Sequence, residues 1–334
     1  MFEMSFARRA RIAVGAAAVT IVSSLVAVGA TATPARADSL LPYVPWSSYL
    51  AGWTDQYVPS SDNDCVAGRP NCLNGTLKEQ SRIADDTASS CSHNAVFARA
   101  YVRMTQLYGY TRAIPGYSQD VPYFNPVDAV FARYYTDAYY NWQGGNRSAV
   151  PQAWLTAFDA AKNKKVSGTG DLLLGMNAHI NRDLPYVMAA VGLVAPDGSS
   201  RKPDYDAVEA WLYDATAPLI AEFAARFDPA MDDTQDPFGI GNWTLFQMVS
   251  AWRENAWRNA EALVSAPTDA ARALVAQNIE TQANLAAQAI LSSQSYVPLL
   301  QSSASRDTFC AAHKGDAPPV PYAFGDATPW GYAY

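Results

Sequence analysis

The sequence predicts an all-α fold built as a single helical domain, and three observations carry that expectation. From residue 81 onward, apolar residues recur at intervals of three and four in one segment after another, the spacing of a helix face. No segment shows the strict alternation of a half-buried strand, and no G-x-G-x-x-G occurs. Helix-start chemistry stands at the heads of several periodic segments, as Pro151, Asp171 and Thr268.

Residues 1–37 read as a leader outside the fold. Arg8, Arg9 and Arg11 form a positive n-region and an uncharged apolar stretch runs from Ile12 to Thr33. Ala35-Arg36-Ala37 then makes a small-residue cleavage site, with cleavage after Ala37. The apolar stretch is long enough to cross a bilayer, so an uncleaved anchor is the alternative, and Arg8-Arg9 hints at twin-arginine export. After cleavage no transmembrane segment is expected, and the protein is expected outside the cell. Residues 38–80 read as an irregular arm, broken by Pro42, Pro45, Pro59, Gly68, Pro70 and Gly75.

The helical domain is expected over 81–310. Its first clear helix carries Val96, Phe97, Ala100, Tyr101, Met104 and Leu107 on one face, and a second follows Pro126 through Val130, Phe131, Tyr134, Tyr135 and Tyr139. A third starts at Pro151, a favourable first helical position. Asp171 is expected to cap the apolar run Leu172, Leu173, Leu174, Met176, Ile180, which meets Pro185 and kinks or restarts there. Asp204 opens a long helix with Pro218 inside it, and two more helices follow at 242–264 and 268–292, the last capped by Thr268. Residues 311–334 form a Pro-, Gly- and aromatic-rich tail expected to lie as a strap over the core.

Composition narrows the class. The chain is 49% hydrophobic and 16% charged with a net charge of −7, which excludes a disordered protein and gives no basic footprint for a nucleic-acid backbone. Loss of residues 1–37 leaves 20 basic and 30 acidic residues, a net of −10. All four cysteines lie beyond the leader, as an exported protein in an oxidising space would use them. Of the three possible pairings, Cys65–Cys72 closes a short loop and Cys91–Cys310 ties the first long helix to the tail. Zinc is the rival reading, but no C-x-x-C and no adjacent histidine pair supports it.

Ala95-Val96-Phe97-Ala98-Arg99-Ala100-Tyr101 and Ala129-Val130-Phe131-Ala132-Arg133-Tyr134-Tyr135 nearly repeat each other 34 residues apart, the tetratricopeptide period. No third copy appears, so two antiparallel core helices using the same face are expected.

Only His93, His179 and His313 are available as imidazoles. The segment Leu174-Gly175-Met176-Asn177-Ala178-His179-Ile180-Asn181-Arg182-Asp183-Leu184-Pro185 is the most suggestive for chemistry. On a helix His179 and Asp183 share a face, and Asn177, Asn181 and Arg182 add polar atoms that an apolar segment carries only when they are paired. His179 and Asp183 are the candidate catalytic pair, with Arg182, Arg253 and Asn177 to hold substrate. The alternatives are a helix cap for His93, a buried, internally satisfied His179, and an exposed His313. Within Trp252-Arg253-Glu254-Asn255-Ala256-Trp257-Arg258, Glu254 and Arg258 read as a solvated salt bridge, with a pocket lined by Trp252 and Arg253 as the sharper alternative.

The His179 segment resembles the His-x-x-x-Asp helix of the zinc-dependent phospholipase C and P1-type nuclease superfamily, whose helix also has a Gly before the His and Leu-Pro after the Asp. That resemblance implies His179 and Asp183 as metal ligands. The superfamily's trinuclear site takes several histidines and a second histidine-bearing motif. Three histidines therefore leave at most one or two ions, zinc or iron, on His93, His179, Asp183 and carboxylates such as Asp137 or Glu254. More broadly, Cys91 to Tyr101, Val130 to Tyr135 and Leu172 to Pro185 resemble an uncharacterised family of actinobacterial exported helical proteins, which implies a shared fold and no activity.

No G-x-S-x-G nucleophile elbow is present, and the Asp228, Asp232, Asp233, Asp236 cluster lacks EF-hand spacing. The leading functional expectation is an exported hydrolase of a phosphoester or lipid-like ester, acting through His179 and Asp183 with a divalent metal or as a metal-free acid–base pair. The alternatives are a non-catalytic lipid- or envelope-binding protein and a haem or iron redox protein with His179 as an axial ligand.

Overall fold

The computed structural model describes residues 60–65, 67, 69, 71–112, 114–116, 121–232, 240–296 and 306–324. The expected leader, most of the expected arm and the end of the expected tail lie outside these residues, as do Asp233 and Asp236. Among the described residues there are helices and two isolated β-bridges, Val166 with Ser295 and Val194 with Ser200, and no strand or sheet.

The elements in chain order are α1 Asn71–Ser89, α2 Ala95–Thr111, α3 Val121–Gln143, α4 Gln152–Lys162, α5 Gly168–Met176, a π-helical turn Asn177–Asp183, α6 Leu184–Val191, α7 Lys202–Arg226, α8 Ile240–Ser265, α9 Asp269–Ser293 and α10 Arg306–His313. Helix α1 begins inside the stretch expected to be irregular. Cys72, Leu73, Leu77, Ile83 and Ala84 bury one side of it, and that burial outweighs the glycine at position 75. Helix α3 starts before Pro126 instead of after it. An interior proline removes a backbone donor, and Asn125 beside it secures the segment by tertiary bonds: its Oδ1 accepts from Tyr108 Oη and Arg112 Nη1, and its Nδ2 donates to the Arg69 carbonyl.

Ser167, not Asp171, caps α5: its hydroxyl accepts from the Gly170 N–H at 3.1 Å. Thr268 caps α9 as expected, accepting from the Ala271 N–H at 3.1 Å. Before Pro185 the chain widens its helical turn, and a new α-helix starts at Leu184 with the proline in its first turn. Proline has no N–H to give residue 181, and the neighbouring Leu184 N–H bonds the His179 carbonyl five residues back, the π pattern. Both cysteine pairs are at disulfide distance, Cys65 with Cys72 and Cys91 with Cys310.

One core cluster gathers α1, α2, α3, α4 and the inner face of α9 around Trp154, Phe97 and Tyr135. A second packs α6 against α8 through Val187, Val191, Ala256 and Trp257. A third joins α2, α5 and α7 through Val96, Leu172 and Phe223 and reaches Cys310. Each buried Val, Leu or Phe among them contributes about 1.5–3 kcal/mol. The two matching heptapeptides face each other in reverse order: Phe97 meets Tyr135 at 5.2 Å between ring centroids, and Tyr101 meets Phe131 at 6.0 Å. Such crossed pairing is the mark of antiparallel helices.

Gly175 lets α5 lie against α2. A Cβ there would sit 2.3 Å from the Phe97 ring, deep in the first cluster where nothing can yield. Gly175→Ala should therefore lower stability by about 1–3 kcal/mol, read as a fall in the thermal or urea midpoint.

Candidate functional site

His179 projects from the π turn into an aromatic box. Its ring stacks on Phe131 with centroids 3.4 Å apart and planes 5° from parallel, and the edges of Tyr101 and Phe97 close in at 4.3 and 5.8 Å. Trp154 stands at 6.0 Å, and the histidine is 5% exposed. Phe97 and Tyr101 come from one heptapeptide and Phe131 from the other, so both copies of the repeat contribute walls to one box.

His179 Nδ1 lies 3.5 Å from Asp183 Oδ2. A carboxylate only accepts, which places the imidazole proton on Nδ1 and leaves Nε2 as a bare acceptor. That Nε2 is buried without a hydrogen-bond partner, as are Tyr101 Oη and Asp128 Oδ2 nearby on α2 and α3. Burial lowers the His179 pKa against the pull of Asp183, keeping the ring neutral. Burial also pushes the Asp128 carboxyl up to about 7, with Arg112 opposing, and raises the Tyr101 phenol with help from Asp128 and Asp183.

The residues expected to bind metal or substrate are spoken for. Asp183 accepts from Trp154 Nε1 at 2.8 Å and from Arg182 Nη1 at 2.9 Å. Arg182 also pairs with Glu280 at 2.8 Å and stacks over Tyr186. Asn177 Nδ2 donates to the Ala283 carbonyl and its Oδ1 accepts from Asn181, tying the π turn to α9. Arg253 is a staple between α7 and α8: it donates to the Tyr205 carbonyl and covers the Tyr205 ring at 4.2 Å, while Tyr205 Oη donates back to the Arg253 carbonyl. Glu254 pairs with Lys202 and Arg258, the solvated salt bridge expected.

His93 does not join His179. It belongs to a second buried cluster centred on Arg306, which is 2% exposed. Arg306 Nη1 donates to His93 Nδ1 at 2.9 Å, Asp171 Oδ2 at 2.8 Å and the Val166 carbonyl at 3.1 Å, and its Nε lies 3.2 Å from Asp228 Oδ2. Asp228 also accepts from the Gly168 N–H at 2.8 Å. Among the described residues no group of three or more His, Cys, Asp or Glu could hold a metal ion. Of the expected set, His179 and Asp183 stand together with the Arg182 guanidinium beside Asp183, while His93 lies apart from them against Arg306.

Because Arg306 donates to Nδ1, the His93 proton sits on Nε2 and points at Asp307 Oδ1, 3.1 Å away. Burial, with the charge of Arg306, pushes His93 down to about 4. This Nε2–H edge opens on a surface depression of about 500 Å³ between the α1–α2 turn, the ends of α3 and α4, and α10. Trp142, Lys162, Lys164, Asp307 and Lys314 line it. Asp307 also pairs with Lys164, and Lys314 donates to the Ser89 carbonyl. Sequence reasoning missed Asp307, Arg306, Lys164 and Lys314; the neighbouring Cys310 was the one signal that this stretch meets the start of α2. His313 is half-buried, its Nδ1 2.8 Å from Asp316 Oδ2.

These features define an all-helical, disulfide-stapled domain with a sealed histidine–aspartate pair and an open basic depression. The chain belongs to the family of unknown function DUF5995, whose model matches residues 73–293. No curated protein and no solved structure matches it.

Both buried histidines are held below the ordinary value near 6.5. As pH falls through that value the unfolded chain takes up their protons first, so their contribution favours unfolding increasingly down to the folded pKa, about 4 for His93. Asp171, pushed up to about 7 by burial against the pull of Arg306, acts in the opposite sense over the same interval. Ring resonances separate the two effects: in an NMR titration His93 should show a midpoint near 4 and His179 one below 6.5.

Proposed function

We propose that the protein is a non-catalytic binding protein of the cell exterior, and that the depression beside His93 receives a polar, negatively charged ligand of the kind an envelope presents. The observation that carries this reading is an inversion of charge. In a chain with a net charge of −7, the depression gathers Lys162, Lys164 and Lys314 against the single carboxylate of Asp307. A concave basic wall in an acidic protein attracts anions selectively. Trp142 adds a ring, with the Lys162 ammonium 5.7 Å from its centroid, suited to a sugar or polyol face. Two disulfides agree with export, and among the described residues no helix is long and apolar enough to cross a membrane.

The hydrolase reading is favoured by one observation, the unpartnered Nε2 of His179. It asks that substrate reach an imidazole walled by four aromatic rings and stacked on Phe131, and the depression asks for no such movement.

Calorimetric titration with glycerol 3-phosphate, with glycerol as the uncharged control, tests the reading. Saturable binding to the phosphate compound alone is expected, weakening with added salt and falling at least about tenfold in Lys162→Ala/Lys164→Ala. Equal binding by the double variant, or none by the wild type, overturns it. In His179→Gln the thermal midpoint should fall while binding persists. Phosphoester turnover by the wild type, lost in a folded His179→Gln protein, would instead establish the hydrolase.

A further inference from the structure

The depression has its own anion in place. Asp307 opens α10 with its carboxylate between two donors: the Lys164 ammonium and the Nε2–H of His93. The two donors are held from behind. Lys164 sits in a left-handed turn, φ 53°, at the end of α4. The His93 ring is oriented by the Arg306 guanidinium, which fixes the tautomer that donates toward the depression. Asp307 itself is 39% exposed on its side chain, so this is a seat at the mouth of the depression and not a sealed core contact.

Charge does not balance there. One carboxylate meets Lys164 and His93, while Lys162 and Lys314 stand on the same wall. Lys314 donates to a neutral carbonyl, and the Lys162 ammonium lies over Trp142. A single negative charge therefore serves a wall of three ammonium groups. A phosphomonoester carries nearly two charges and three acceptor oxygens at neutral pH, enough to take the donors of Asp307 and to reach a further lysine.

We infer that Asp307 is an internal competitor for a phosphomonoester, occupying the anion seat formed by Lys164 and His93 until ligand displaces its carboxylate. This rests on the reading of the depression as the ligand site. Displacement needs only rotation of an exposed side chain, because α10 stays anchored by Arg306 and by the Cys91–Cys310 disulfide. The affinity measured for the wild type is thus lowered by the Asp307–Lys164 and Asp307–His93 contacts that must be given up, and by repulsion between two anions at one place.

Asp307→Asn keeps the size of the side chain and removes the competing charge. Titrated with glycerol 3-phosphate, it should bind at least about tenfold more tightly than the wild type. Adding Lys164→Ala should abolish that gain. In the wild type the same titration should shift the His93 ring resonances, since its Nε2–H changes acceptor from Asp307 to phosphate, and this readout does not depend on any variant folding. If the wild type binds and Asp307→Asn binds equally or more weakly, or the His93 resonances do not move, the competitor role is overturned while the binding site stands. If neither protein binds, both readings fall.

Discussion

The buried guanidinium of Arg306 holds together segments that are far apart in the chain. It meets His93 at the entry to α2, Val166 and Asp171 at the head of α5, and Asp228 after α7. A charge at this depth loses several kcal/mol of hydration, offset by the acid, imidazole nitrogen and carbonyl that accept from Nη1 and by the Asp228 carboxylate beside Nε. Its orientation decides what lies on either side of it. The next residue, Asp307, turns outward to the depression, and one turn later Cys310 reaches Cys91. The tautomer of His93, and so the donor that the depression presents, is set by the same cation.

Much of the architecture was legible because it rests on local chemistry. Three-and-four spacing located the helix faces, Thr268 announced the start of α9, and the two heptapeptides announced a shared core face. The errors arose where a distant partner overrode a local signal. Asp171 has the composition of a cap, but it lies opposite a cation 135 residues further on, and Ser167 was close enough to cap in its place. Pro126 reads as a helix start, yet Asn125 holds that turn through bonds to Arg69, Tyr108 and Arg112. The pairing of Cys91 with Cys310 was readable only because cysteines are few; the acid–arginine contacts beside it had no such scarcity to reveal them.

The π turn explains why residues 177–183 looked like a reaction centre. A proline at 185 withholds one backbone donor, the chain widens, and polar side chains fall on several sides of the segment instead of one. Each side then meets a neighbour that needs it: Ala283 on α9 for Asn177, Glu280 for Arg182, Trp154 for Asp183. The polar density is real, but it serves as mortar between helices. The histidine alone keeps an unused nitrogen, behind Phe131.

The family match ends at Ser293, before α10 begins. Cys91, His93, Asp171 and Asp228 therefore lie inside the shared region, and Cys310 and Arg306, which complete them, lie outside it. Two buried carboxylates without their cation would repel each other in a medium that scarcely screens them. Loss of the last helix from this chain would leave Asp171 and Asp228 buried without that cation. The folded unit is thus longer than the matched one, and its far end is held by Cys91, His93, Asp171 and Asp228 inside the match.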